Sequence, residues 1–316
     1  MQIMGAHSEL SDALAFIVAQ QQTPATACAY LGTDAAEIAA DLAELDQPWA
    51  ETLRVAVAED GRITGAATIE WDADLGRSWV YGPWADDDAA ALELLRAVIG
   101  LTPESVTAHE MFASTANERQ ARLAENAGWV DGGLCYGLEL AADAEPWESA
   151  PALGINVRPA VASDLAGATG VTTLHDAEFP GTYASAAELL DPDEDYRTLV
   201  AERDGVIVGY LTYQNQDDGA VYIDFVAVNP AARRTGVGRA LVTAARAASA
   251  EGRLKLTVNL PEEQSASAPV AANPMATADR PTAPDHPNHP NHQAALPFYQ
   301  ALGFRVTDTL RAYHSQ

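Results

Sequence analysis

The stretch RRTGVGRAL, Arg233–Leu241, decides how this chain is read. It sets three arginines and two glycines at the entrance to ALVTAARAASAEG, which reads as a helix. The chain around it carries 45 acids against 18 bases, a formal net charge of −27. A strand, AVYIDFVAV (Ala220–Val228), runs into the stretch. Strand, glycine loop and helix in that order leave unpaired backbone N–H groups facing outward, and the helix dipole favours a negative guest there. Gly236 and Gly238 remove side chains so that backbone can approach an anion. Arg233, Arg234 and Arg239 add charge-assisted donors. Taken alone, two glycines at i and i+2 also fit a solvated basic turn.

Beyond the loop, the second half of the chain alternates strands with crossover helices. INVRPA leads to a helix opening at Ser163-Asp164, and HDAEFPGTY (His175–Tyr183) reads as a loop. Hairpin strands run over Leu199–Gln214, LKLTVNL forms a later strand, a helix starts near Gln293, and a closing strand follows Phe304. This order gives an α/β (α+β) layered domain with antiparallel strands at its start. The first half echoes it. VAEDGRITGAATIEW (Val57–Trp71) matches VAERDGVIVGYLTYQ (Val200–Gln214), each a hairpin whose second strand holds one glycine, Gly65 or Gly209. NERQARLAENAGWV (Asn117–Val130) matches HQAALPFYQALGFRV (His292–Val306). Two echoes in one order make two tandem domains, over 1–145 and 155–316. Residues 146–154 are a proline-bearing linker and about 261–292 a Pro/Ala-rich insert.

A surface this acidic repels nucleic acid and anionic lipid, so neither is expected as a partner. The stretch MQIMGAHSELSD lacks a basic n-region and a continuous apolar core, so it is not expected to act as a leader, and nothing reaches about 18 apolar residues, so no membrane span is expected. Cys28 and Cys135 match no metal or redox spacing and read as reduced, buried thiols of a cytoplasmic protein. His286, His289 and His292 recur at three-residue spacing in the insert without a well-placed carboxylate or thiolate, so no metal site is expected.

The loop is neither G-x-G-x-x-G nor G-x-x-x-x-G-K-[ST]. It reads R-x-x-G-x-G (Arg233, Gly236, Gly238), preceded by Val226, Val228 and Pro230, and downstream stands A-x-x-F-Y-x-x-x-G-F (Ala295, Phe298, Tyr299, Gly303, Phe304). These two motifs resemble those of the GCN5-related N-acetyltransferase (GNAT) family, and the doubled arrangement resembles its mycothiol-synthase-like tandem type. The resemblance implies two GNAT-like domains, each a twisted mixed β-sheet flanked by helices. It also implies acetyl-CoA as co-substrate and transfer of acetyl to a primary amine of a small molecule by direct attack in a ternary complex. The cofactor would be held by Val226, Ala227 and Val228 through their backbone and by Arg233, Arg234, Thr235, Gly236, Val237, Gly238 and Arg239. The family's asparagine position falls on His292, with Asn291 its neighbour, so Asn291 joins the set. Two parallel strands, Ala220–Val228 and Leu254–Asn259, should part at a bulge to admit the thioester arm.

An amine with a pKa near 10.4 costs roughly 4 to 5 kcal/mol to deprotonate at pH 7, so a base is useful. Asp224, two residues before Val226, fits it, because a carboxylate among apolar strand residues needs a reason; pairing with an arginine is the other reading. His175, Asp176 and Glu178 are further acceptor-side candidates. Tyr299 stands where the family's general acid does. Aligning Pro83 with Pro230 sets Asp86, Asp87 and Asp88 opposite Arg233, Arg234 and Thr235, and Ala124 opposite Tyr299. The first domain is therefore expected not to hold CoA. A non-catalytic acyl-CoA- or partner-binding module is the alternative. The acidic surface leans toward basic acceptors of the polyamine, aminoglycoside or amino-sugar kind.

Overall fold

The computed structural model describes residues 1–5, 10–145, 147, 154–216, 218–260 and 292–315. The chain forms two compact units. Met1–Cys135 with Asp308–Gln316 make the first; Tyr136–Leu260 and residues 292–307 fall in the second. These are mixed α/β units, and each matches the expected layering of a sheet with helices on its faces. The boundaries differ from a division into contiguous halves. Residues 136–145 belong to the second unit and residues from 308 onward to the first. Most of the linker, the insert and Asn291 lie outside the described residues.

In the first unit, β1 (Gln2–Gly5), β2 (Arg54–Val57), β3 (Ile63–Asp72) and β4 (Arg77–Ala85) are joined antiparallel. β5 (Ala108–Ser114) then pairs parallel with β4. On β5's other edge lies the chain's last strand, β12 (Arg305–His314), running antiparallel from Leu310↔Ser114 to His314↔Glu110. Helices α1 (Leu10–Gln21), α2 (Ala35–Ala43) and the short α3 (Trp49–Thr52) pack with Leu53, Val55 and Trp84 in one core. Helices α4 (Asp88–Ile99) and α5 (Glu118–Ala127) pack with Ile69, Val80 and Met111 in another. Their ends are locally encoded. Asp87 caps α4 by accepting from Ala90 N at 2.8 Å, and Gly128 ends α5 at φ +74°.

In the second unit, β6 (Val130–Leu140, from Tyr136 onward), β11 (Leu254–Leu260), β10 (Val221–Val228), β9 (Val206–Asn215), β8 (Arg197–Arg203) and β7 (Asn156–Ala160) lie side by side in that order. β10 and β11 are parallel; β7 to β10 are antiparallel. Helix α7 (Val237–Ala248) buries Val237, Leu241, Val242 and Ala245, the i, i+4, i+5, i+8 stripe of an amphipathic helix. With α8 (His292–Ala301) it covers one face, and α6 (Leu165–Glu178) covers the other. The echoed glycines have one job in both units. A Cβ on Gly209 would stand 2.8 Å from Val237 and 2.9 Å from the Ala227 carbonyl, and on Gly65 2.7 Å from Leu94. Each glycine lets a helix sit close on its sheet.

Both cysteines are free and buried, and burial pushes each thiol up to about 12. No described helix is long and apolar enough to cross a membrane.

Candidate active site

The second unit's site begins with a break in strand β10. Its register against β9 shifts between Ile223 and Phe225, so Asp224 is the extra residue of a β-bulge. The bulge exchanges faces. Val221 and Ile223 point into the core under α7, whereas Phe225 and Ala227, at the same spacing, point into the core under α6. On the opposite edge, pairing with β11 runs from Val221↔Leu254 to Ile223↔Leu256 and then stops. The strands part there, as the resemblance implied.

A cavity of about 140 Å³ opens in this wedge. Ile223, Asp224 and Val226 line it from β10, Leu256 to Asn259 from β11, Glu178 and Phe179 from the end of α6, and Ala295 and Tyr299 from α8. One carboxylate oxygen of Asp224 accepts from the Tyr183 hydroxyl at 3.1 Å. The other, Oδ2, is buried and has no hydrogen-bond partner among the described residues. Burial pushes the Asp224 carboxyl up to about 7, against the lowering effect of the Tyr183 hydrogen bond. Pairing with an arginine does not occur among the described residues. Tyr299 is 7 % exposed and packs edge-on against Phe298 and Phe304, and burial raises its hydroxyl.

The loop from 229 to 236 separates β10 from α7. Arg234 (φ +61°) and Gly236 (φ +94°) are both left-handed, which curls successive N–H groups toward one side. Gly236 caps α7 without a side-chain bond. A Cβ on Gly238 would stand 3.2 Å from the Phe298 ring, so bare backbone is needed there for packing as well. Arg234 and Arg239 are exposed and form no ion pair among the described residues.

Two expectations change. Arg233, read as a phosphate donor, is turned inward: Nε donates to the Val228 carbonyl at 2.9 Å and Nη2 meets Glu178 at 2.6 Å. It ties the loop to the strand end and to α6. His175, Asp176 and Glu178 are not in a loop, because α6, capped by Asp164, continues through Glu178 with no breaker before Pro180. His175 is buried, bonded to the Tyr210 hydroxyl at 2.6 Å and the Ala184 carbonyl at 2.9 Å, and has a structural role; Asp176 is exposed. Glu178 does reach the cavity, already paired. Tyr183 was missed because nothing in its local sequence marks it; only the fold carries it to Asp224.

The corresponding place in the first unit is closed. Only Asp86 and Asp87 separate β4 from α4, and Pro83 lies inside β4, so the ungapped alignment of Pro83 with Pro230 does not hold and the loop itself is missing. Asp86 pairs with Arg62 at 2.9 Å, and Asp88 lies 3.6 Å and 3.4 Å from Arg119 and Arg122. Pairing of β4 with β5 stops at Val80↔Met111, as in the second unit, but the chain's own residues enter the gap. Cys28 bridges Ala113, and Ala29 N donates to the Phe112 carbonyl at 3.1 Å. Gln120 donates to the Gly82 carbonyl at 2.8 Å, Asn117 to the Ala27 carbonyl at 3.2 Å, and Trp84 to Gln21 at 3.0 Å. The hydrogen-bonding edges of the wedge are spent internally.

Residues 169–268 match the acetyltransferase (GNAT) family model. No curated protein sequence matches significantly. Among solved structures, the chain resembles a GCN5-related N-acetyltransferase from Sphaerobacter thermophilus, with a TM-score of 0.63 and 17% identity over 96% of this chain and 91% of that one. It also resembles a tandem GNAT protein from the clavulanic acid biosynthesis pathway, with a TM-score of 0.59 and 14% identity over 99% and 98% of the two chains. At these identities the structures establish the fold: two GNAT-like domains in tandem.

Proposed function

We propose that the second unit, whose residues 169–268 match the acetyltransferase (GNAT) family model, moves an acetyl group from acetyl-CoA to a primary amine of a small molecule, within a ternary complex. The observation that carries this reading is Asp224 Oδ2, a buried carboxylate oxygen without a hydrogen-bond partner among the described residues, set at the bulge where β10 and β11 part.

The residues present fit an acyl-CoA. The left-handed turns at Arg234 and Gly236, the open N-terminus of α7 and the guanidiniums of Arg234 and Arg239, which form no ion pair among the described residues, suit a diphosphate. Thr235, Val237 and Gly238 supply loop and helix backbone beside it. The unpaired edge of Val226, Ala227 and Val228 suits an amide-bearing arm. When bound, acetyl-CoA supplies the acetyl group activated as a thioester.

Asp224 takes the proton from the ammonium form of the acceptor. With its carboxyl near 7, it is ionised in useful amount at neutral pH and still a far better proton acceptor than an ordinary aspartate. Tyr183 fixes the carboxylate through Oδ1 and leaves Oδ2 to the amine. Tyr299, raised by burial and lining the cavity, would give its proton to the departing thiolate and be reprotonated by the proton that the amine nitrogen sheds as the amide forms. Backbone N–H groups of β10 polarise the acetyl carbonyl; such fixed donors are worth about 3 kcal/mol each where charge develops.

The test is thiol release. Purified protein with acetyl-CoA and a panel of primary amines should liberate CoA with one or more of them and form the N-acetyl product. Tight acetyl-CoA binding with no acceptor turned over would favour the binding-module reading.

A further inference from the structure

Arg203 ends strand β8 and lies outside every motif that the loop belongs to. Its Nη2 donates to Thr235 Oγ1 at 2.9 Å, and that hydroxyl in turn donates to the Ala232 carbonyl at 2.7 Å. The side chain therefore reaches from the β8–β9 hairpin to the middle of the glycine loop. Its Nε–H is buried and has no hydrogen-bond partner among the described residues. A buried guanidinium N–H left unmade needs an explanation.

The missing partner is a matter of charge. Acids outnumber bases 45 to 18 in this chain, and in the same unit Arg158, Arg233 and Arg253 each meet a carboxylate, while Arg197 and Arg246 are spent on backbone carbonyls. Arg203, Arg234 and Arg239 meet none among the described residues. Three unneutralised guanidiniums thus gather at one loop whose backbone already suits a diphosphate. A diphosphate alone brings roughly two negative charges, and a further phosphomonoester up to about two more. A ligand of both kinds matches the cluster better than a diphosphate alone.

We propose that Arg203 is an additional phosphate contact of the acyl-CoA site, presented from the β8–β9 hairpin and aimed by Thr235. This rests on the acyl-CoA reading of the loop. Arg203 is a binding residue for the nucleotide end, remote from the acetyl group. Its orphaned N–H becomes bonded only when the site is filled.

Titration calorimetry of the full chain with acetyl-CoA at several salt concentrations tests it. Arg203→Gln should weaken binding about tenfold and make the affinity less dependent on salt, since one charge contact is gone. Arg203→Lys should restore most of the salt dependence. The ligand-free Tm of Arg203→Gln should not fall, because the only side-chain bond lost is to an exposed threonine. Unchanged affinity would overturn the proposal, as would a salt-independent loss accompanied by a lowered ligand-free Tm, which marks a structural role. Wild-type protein that binds no acetyl-CoA at all would instead bring down the reading of the loop itself, and this inference with it.

Discussion

Tyr183 donates its hydroxyl to one oxygen of Asp224 at 3.1 Å, and the other oxygen is buried with no hydrogen-bond partner among the described residues. One hydrogen bond thus orients the carboxylate and tempers its basicity. Burial raises the acid and the tyrosine partly counters it. Tyr183→Phe removes the counterweight. A hydrogen bond to a charged group contributes about 1.5 kcal/mol, close to one pH unit. The acidic limb of the kcat/KM profile should therefore move upward by about one unit from its wild-type position near 7. A profile that stays in place would detach Tyr183 from the chemistry.

Asp224→Asn should lower kcat by about 10²- to 10⁴-fold near neutral pH, the usual worth of a general base. Its stability effect has a definite sign. A carboxyl whose folded pKa is about 7, above its unfolded value of 3.8, binds more protons folded than unfolded between those values. Wild-type stability therefore falls as pH rises from about 4 to 7 through this group. The Asn variant should gain Tm relative to wild type at pH 8 and gain less, or nothing, at pH 5. Thermal melts at the two pH values check this.

Arg233 and Arg234 are neighbours with opposite tasks. Arg233→Met leaves Glu178 mostly buried without its cation and frees the Val228 carbonyl, so it should destabilise the unit by about 1 to 3 kcal/mol. Arg234→Met should leave Tm nearly unchanged and weaken acetyl-CoA binding. Denaturant melts and calorimetry on the two variants should give this crossed pattern.

Gly209→Ala places a Cβ 2.9 Å from the Ala227 carbonyl and 2.8 Å from Val237, and backbone cannot move aside cheaply. Overpacking of this kind costs about 1 to 3 kcal/mol. The loss should appear in melts of the whole chain, and α7 should be displaced from β9 in a structure of the variant.

The tandem fold was legible because its signals are local and repeated. Gly65 and Gly209 sit at equivalent hairpins, and the Arg-x-x-Gly-x-Gly loop announces a helix entrance. Asp224 was legible as a carboxylate out of place in an apolar strand. Other features depend on distance in the chain. Arg233 turned inward because Glu178, 55 residues earlier, comes within 2.6 Å of it, and no local pattern reveals that. The same holds for Arg203, for Tyr183, and for the pairing of β12 with β5. By sequence, the first unit sets three aspartates where a diphosphate would lie. The aspartates are there, but the larger obstacles are a loop cut to two residues and a wedge filled by Cys28, Ala29, Gln120 and Asn117.

Calorimetric titration of the chain with acetyl-CoA measures how many of the two units hold an acyl-CoA. One molecule should bind per chain, and Arg234→Glu combined with Gly238→Glu should abolish that binding. Two molecules per chain, or one that still binds the double variant, would place the ligand in the first unit and rule out the second unit as the sole acyl-CoA site.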